Sequence, residues 1–207
     1  IGTPLLLQRS GISEAGKGVA MDVTTMVYGI WDREGNYQDP PMTVSYSDDS
    51  IGCMFSTLID PWLLYPIIMS TKGLKYTLHW KDYHKTVGIM IKLKDDISGE
   101  IFSDGSIDKP LTLWDQSRLE QGIGIARQIL TKLGCKKDSI FSTPLRGTHP
   151  SATAPIGKFV DNNLKTSFQN LYICDASVFP EALDRPTVLT IIGFAKRLTD
   201  HLLNVLL

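Results

Sequence analysis

The sequence is short of cysteine, and the little it has forms no pattern. Cys53, Cys135 and Cys174 are its three thiols. None stands in a Cys-x-x-Cys or other metal-binding spacing, and an odd number makes a poor disulfide framework. Reduced, buried thiols are the expectation, which favours a cytoplasmic setting. An excess of either charge is also missing. A formal net charge of −1 offers no basic footprint for nucleic acid or an anionic membrane surface. Long hydrophobic runs are absent as well: the longest, from Trp62 to Met69, is too short to span a bilayer and contains Pro66. There is no signal-peptide pattern, no methionine at the start, no internal repeat and no low-complexity tract. Nor does a Gly-x-Gly-x-x-Gly follow a strand anywhere. Gly122-Ile123-Gly124 sits inside a helix-periodic stretch, which rejects it as a phosphate loop.

What remains is an ordinary globular composition. With 207 residues and a 43% hydrophobic share, the chain can hold one sizeable core, or about one and a half small ones. Pro4 stands in the first turn of a short helix carrying Leu5, Leu6 and Leu7 and ending before Ser10-Gly11. Met21 to Trp31, rich in Val, Thr, Met and Tyr, reads as a strand. Met42 to Tyr46 and Ile51 to Ile59 read as two more, joined at Ser47-Asp48-Asp49-Ser50. One or two short helices, broken at Pro66 and Gly73, should lie between Asp60 and Leu78.

Val87, Ile89, Ile91 and Leu93 alternate with Gly88, Met90, Lys92 and Lys94, predicting a half-buried strand with one wet face. Asp104-Gly105 marks a hairpin turn. Asp115 should cap a helix with an apolar face of Leu119, Ile123, Ala126, Leu130 and Leu133, stopped by Gly134. Strands close in sequence with few helices between them argue for an α+β fold with a mainly antiparallel sheet.

The densest chemistry lies between Asn170 and Arg197. Leu171 to Cys174 reads as a buried strand ending at Asp175, and a helix starts near Pro186-Thr187 after a loop. In open α/β sheets ligands collect at the C-terminal ends of strands, and a helix N-terminus attracts negative charge. Val188, Ile191, Ile192, Ala195, Leu198 and Leu202 should form the core stripe of this last helix. Upstream, Phe141 to Gly157 is rich in Pro, Gly, Ser and Thr, and His149 is its one titratable side chain besides Arg146. An imidazole titrates near neutral pH and suits a general base. Taken alone, a single His in such a loop is more often structural, as are His79, His84 and His201, and Asp175 alone reads as a capping residue. The apolar run Trp62, Leu63, Leu64, Tyr65, Ile67 and Ile68 could line a lipophilic pocket, with core packing the more common use of such residues.

Three separated segments resemble signatures of the glucose–methanol–choline (GMC) family of FAD-dependent oxidoreductases, in the family's order. Thr3 to Ile12 resembles its second signature, with Ser13 where a Gly is usual. Gly147 to Gly157 resembles the stretch carrying the active-site histidine, with Ala152 in place of a Gly. Asp175-Ala176-Ser177-Val178-Phe179-Pro180 and the helix after it resemble the C-terminal signature. The resemblance implies a mainly antiparallel substrate-domain sheet with flanking helices. To this it adds the closing strand and helix of an FAD-binding α/β domain whose N-terminal part is absent here. The implied division is 1–14 in the FAD domain, 15–145 in the substrate-binding domain, and 146–207 returning to the FAD domain.

The implied activity is oxidation of an alcohol by hydride transfer to FAD, with His149 as base. Asp175, Ala176, Pro186, Thr187, Val188 and Leu189 would line the flavin. No metal is implied. The family places an Asn or His just before the terminal helix, whereas this chain has Asp184-Arg185-Pro186-Thr187. Arg185 could there stabilise an alkoxide or a substrate carboxylate, and Thr187 could donate one hydrogen bond. The partners implied are a small-molecule alcohol and a missing N-terminal FAD-binding half, without which this fragment should be inactive; a homo-oligomer stays open. Two alternatives keep other functions in view: a same-fold lyase with a non-redox flavin, and a cofactor-free binding or assembly domain.

Overall fold

The computed structural model describes the backbone of residues 1–206 and the side chains of residues 1–204. Leu207, the last residue of the third expected segment, lies outside the described residues. In chain order the elements are α1 (Gly2–Arg9), β1 (Lys17–Val19), β2 (Val23–Ile30), β3 (Ser45–Asp48), β4 (Cys53–Thr57), α2 (Tyr65–Ser70), α3 (Leu74–Thr77), β5 (Thr86–Leu93), β6 (Ser98–Ile101), β7 (Ile107–Asp108), α4 (Leu113–Leu133), β8 (Phe141–Ser142) and α5 (Val188–Leu206). They fall into two compact units. One comprises Ile1–Asp22, Lys94–Thr112 and Gly147–Leu207, and the other Val23–Leu93 and Leu113–Arg146. The fold is α+β, and its strand pairs in both sheets are antiparallel.

In the unit built from Val23–Leu93 and Leu113–Arg146, the strands run β3-β4-β5-β2-β8. The sheet's two faces follow from strand alternation. Met26, Tyr28, Met54 and Met90 gather on one face with Tyr65, Met69 and Phe141. On the other face α4 lies close, because Gly122 has no side chain. A Cβ there would come 3.2 Å from Ile91 Cγ2 and 3.4 Å from Cys53 Sγ. β5 is therefore central and covered on both faces, its residues buried or half-buried throughout. That corrects the wet face expected from its alternating lysines, since alternation reports residue type and not how many layers pack on a strand.

Other expectations in this unit shift in detail. α4 begins three residues earlier than expected, so Asp115 is not its cap; it is buried in the first turn and paired with Arg118 at 2.6 Å. Leu119, Gly122, Ala126 and Leu130 are its buried line, Leu133 is exposed, and Gly134 ends it at a positive φ. Pro66 opens α2 instead of breaking it, consistent with the missing donor being harmless in a first turn. Gly73 does separate α2 from α3. Trp62, Leu63, Leu64 and Ile67 are exposed, against the core packing expected of them; Tyr65 and Met69 turn inward. All three cysteines are free, with Cys53 and Cys135 buried and Cys174 half-buried.

In the other unit β1, β6 and β7 form a small sheet, closed by the hairpin at Asp104-Gly105. Ser106 donates its N–H to Asp104 Oδ1 at 2.9 Å, and Gly105 takes φ +87, open to glycine at no steric cost. The core gathers Leu7 of α1, Ala15, Ala154, Val160, Leu164, Ile173, Val178 and Phe179. α5 lies on it through Ile191, Phe194 and Leu198. Of the expected stripe Ile191 and Leu198 pack inward, whereas Val188, Ile192 and Ala195 are exposed and Phe194 joins the core in their stead. Leu171 to Cys174 is extended but builds no strand ladder. Tyr172 makes one bridge, to Lys165, and Thr166 and Ile173 pair by backbone with Leu171 and Leu164. A ladder needs a partner along its whole length, and here the segment pairs only with its own returning loop.

Candidate functional site

Ser151 to Ile156 runs between two other segments of the same unit. On one side Ala20 and Ser151 exchange backbone hydrogen bonds at 2.8 and 3.1 Å, and Gly16 donates to Thr153 at 2.9 Å. On the other side Ala152, Ala154 and Ile156 donate to the carbonyls of Ala176, Ser177 and Val178 at 3.2, 2.8 and 3.0 Å. Alternate amides thus point to each flank, as in a strand. The histidine loop and the turn after Asp175, both singled out by sequence, are joined by this pairing. Ala152, where the resemblance has Gly, sits at φ +62, the left-handed region that favours glycine.

His149 leads into this segment. Its N–H and that of Thr148 both donate to the Met21 carbonyl, at 3.1 and 2.9 Å, and Thr148 Oγ1 donates to the Asp22 carbonyl at 2.9 Å. The His149 Nδ1 lies 2.8 Å from Asp22 Oδ2. The imidazole is 43% exposed whereas the carboxylate is 3% exposed, so one end of the pair is reachable and the other is sealed. Asp22 itself has φ +56. Its N–H and that of Met21 donate to the two oxygens of Asp95 at 2.9 and 3.0 Å, and Lys109 Nζ lies 3.0 Å from Asp95 Oδ2.

Asp22, Asp95 and Lys109 were not found by sequence reasoning. Asp22 is 127 residues from its histidine, and no local spacing marks such a pair.

Asp175 opens the short turn Ala176–Val178 as its cap, accepting from Ser177 N–H at 2.7 Å through Oδ1 and from Thr3 Oγ1 at 2.5 Å through Oδ2. Burial alone would raise its pKa, but the hydrogen bonds from Ser177 and Thr3 outweigh it and hold the carboxyl below the ordinary carboxylate value. Thr187 is 3% exposed, and its carbonyl accepts from Ile191 N–H at 3.1 Å in the first turn of α5. Pro186, Val188 and Leu189 are exposed. Arg185 is 70% exposed and faces Asp184 at 3.8 Å. The structure pairs the segment that follows His149 with the turn that follows Asp175, through Ala152 and Ala176; it places Arg185 in solvent.

The features available to a flavin are the unbonded N–H groups of a helix first turn and two buried hydroxyls, Thr153 Oγ1 and Ser177 Oγ, that lack a hydrogen-bond partner. Orphaned buried hydroxyls are rare enough to mark a place where a bound polar group would be accommodated. In kind these are hydrogen-bond donors, as the acceptor edge of a flavin ring requires. Among the described residues no cluster could hold a metal ion, and no helix is long and apolar enough to cross a membrane.

Residues 115–195 match the family model described as GMC oxidoreductase. An uncharacterized protein of Methanocaldococcus jannaschii is 31% identical over 204 residues, covering 98% of this chain and 51% of that protein. The chain thus spans about half the length of the curated relative it matches. Among solved structures, an FAD-dependent oxidoreductase from Chaetomium thermophilum, in complex with a butanamide fragment, is 14% identical with a TM-score of 0.47. That match covers 94% of this chain and 50% of that one.

Proposed function

We propose that this chain, which matches the GMC oxidoreductase family model over residues 115–195, is the C-terminal portion of such an enzyme and takes part in FAD-dependent oxidation of an alcohol, with His149 as the base. The observation that carries this reading is the backbone pairing of the histidine loop with the Ala176–Val178 turn. It joins the segment that follows the half-exposed imidazole of His149 to the turn that follows Asp175. Residues 15–145 form the substrate-binding part in this reading, and residues 1–14 and 146–207 the FAD-facing part. An N-terminal FAD-binding segment that these residues do not contain supplies the rest of the cofactor site.

FAD bound here supplies the acceptor for the hydride of the alcohol carbon. His149 takes the hydroxyl proton, a contribution worth about 10²–10⁴-fold in rate for a positioned base. The start of α5 after Pro186, from Thr187 to Leu189, offers its free N–H donors to negative charge, an effect of about 0.3–1 kcal/mol when exposed and more when partly buried. Asp175 and Ala176 shape the turn beside the ring. Thr187 is held at the helix start, and Arg185 is the cation available to an alkoxide or a substrate carboxylate.

Anaerobic mixing of the FAD-loaded full-length protein with a panel of alcohols tests the reading. Bleaching of the flavin band with formation of the carbonyl product is the expected result. Carbonyl product formed while the flavin stays oxidised would assign a lyase instead, and a colourless, monomeric, cooperatively folding protein would assign a binding or assembly domain.

A further inference from the structure

We propose that Asp22 is a positioning residue that locks His149 in the Nδ1–H tautomer, so that Nε2 is the atom that accepts the proton; this rests on the reading of His149 as the base. A carboxylate is acceptor-only. At 2.8 Å from Nδ1, Asp22 Oδ2 requires a proton on that nitrogen, and the neutral ring then has its lone pair on Nε2. The partial exposure of the ring and the near-complete burial of the carboxylate give the pair a direction. The sealed side is Nδ1 and the side left for a ligand is Nε2.

The pair is held at both ends. On the histidine side, the Thr148 and His149 amides are tied to the Met21 carbonyl, and Thr148 Oγ1 to the Asp22 carbonyl. On the aspartate side, Asp95 receives the Met21 and Asp22 amides, one on each oxygen. Lys109 in turn anchors Asp95 through Oδ2 at 3.0 Å and also donates to the Asp96 carbonyl at 2.6 Å and Ser98 Oγ at 2.7 Å. Asp22 at φ +56 occupies a region that few residues other than glycine adopt. Such a conformation persists where the surroundings over-determine it, and these cases cluster at functional sites. When the imidazole takes a proton, the buried carboxylate stabilises the cation formed, as the aspartate of a Ser-His-Asp triad does.

The direct test reads the ring and not the reaction. In a ¹⁵N–¹H long-range correlation spectrum of the ¹⁵N-histidine-labelled 207-residue chain, at a pH where its imidazoles are neutral, His149 should show a protonated Nδ1 and an unprotonated Nε2. A His149→Gln variant assigns the signals. Asp22→Asn and Asp22→Gly, both compatible with a left-handed backbone, should lose that pattern. In the FAD-loaded full-length protein Asp22→Asn should lower kcat on an alcohol about 10²–10⁴-fold, with a much smaller change in KM.

A wild-type ring protonated at Nε2 overturns the proposal even if the variants do not fold. So does an unchanged tautomer in Asp22→Gly, or unchanged turnover in both Asp22 variants. If His149→Gln turns over normally while the tautomer pattern is as expected, the failure belongs to the assignment of the base, and the lock itself survives.

Discussion

The amide of Ala152 donates to the carbonyl of Ala176 at 3.2 Å, and two further rungs continue the pairing to Ile156 and Val178. Two segments well apart in sequence thereby become neighbours. The pairing of the segment after His149 with the turn after Asp175 is a property of the backbone, made without long flexible side chains.

Ala152 itself sets the first prediction. It is buried with Ala20 and Ala182 and holds φ +62. Ala152→Val puts a β-branched side chain where the backbone is left-handed and the neighbours leave no room, and should cost more than about 2 kcal/mol. Ala152→Gly relieves about 1–2 kcal/mol of backbone strain but loses a buried methyl worth about 0.8 kcal/mol. It should stay within about 1 kcal/mol of the wild type. Urea unfolding of the three proteins measures both differences.

Asp175 sets a pH dependence. Its pKa is lowered in the folded chain, because the hydrogen bonds of Ser177 and Thr3 to the ionised form outweigh the partial desolvation of the carboxyl. A depressed carboxyl stabilises the fold above its unfolded value of 3.8, and that contribution is lost as pH falls through the lower folded value. Asp175→Asn should therefore be less stable than the wild type at neutral pH, and the difference should shrink as the solution becomes strongly acidic. A gap that widens on acidification would show that the carboxyl is held protonated. Asp175→Ala also removes the cap of the Ala176–Val178 turn and should cost about 1 kcal/mol at neutral pH by thermal melts.

Arg146 meets Asp60 with two parallel hydrogen bonds of 2.7 Å, and Tyr28 donates to the same carboxylate at 2.5 Å. Burial, then the nearby Asp60 charge, pushes the Tyr28 hydroxyl well above the ordinary phenol range, so it remains a donor. Removing Arg146 alone leaves a largely buried carboxylate one partner short, and Arg146→Met should cost about 2–4 kcal/mol. A double-mutant cycle with Asp60→Asn should return a coupling of about 1–3 kcal/mol, and additive losses would contradict the ion pair.

The thiols should report on the same unit boundaries. Burial pushes the Cys53 thiol up to about 11 and raises Cys135 and Cys174 as well. At mildly alkaline pH all three remain protonated, and access decides the order of labelling. Cys174, half-buried, should react first with a thiol reagent. Cys53 and Cys135 should react only as their unit opens, a sequence that mass spectrometry of labelled peptides resolves.

Much of this was legible in the sequence where a pattern is local. The start of α1, the hairpin at Asp104-Gly105, the α4 stop at Gly134 and the position of β2 follow from capping, turn and periodicity rules acting within a few residues. The wet face assigned to β5 failed because a second layer, supplied by residues far away in sequence, covers it. The stripe assigned to α5 is right at Ile191 and Leu198 and wrong at Val188 and Ile192, which are as apolar as Ile191 and Phe194. Periodicity alone does not choose among adjacent facets of so apolar a helix. At the site, His149 and Asp175 stood out through flanking residues, whereas Asp22 did not, since its partner is contributed by a distant segment.

The most direct measurement is the rate at which an alcohol reduces the bound flavin anaerobically in the full-length protein, compared between wild type and His149→Gln by stopped flow. A loss of about 10²–10⁴-fold in the reduction rate constant, with cofactor content unchanged, is the result this account predicts. Reduction by the variant within about threefold of the wild-type rate, far short of the loss a positioned base entails, would contradict it.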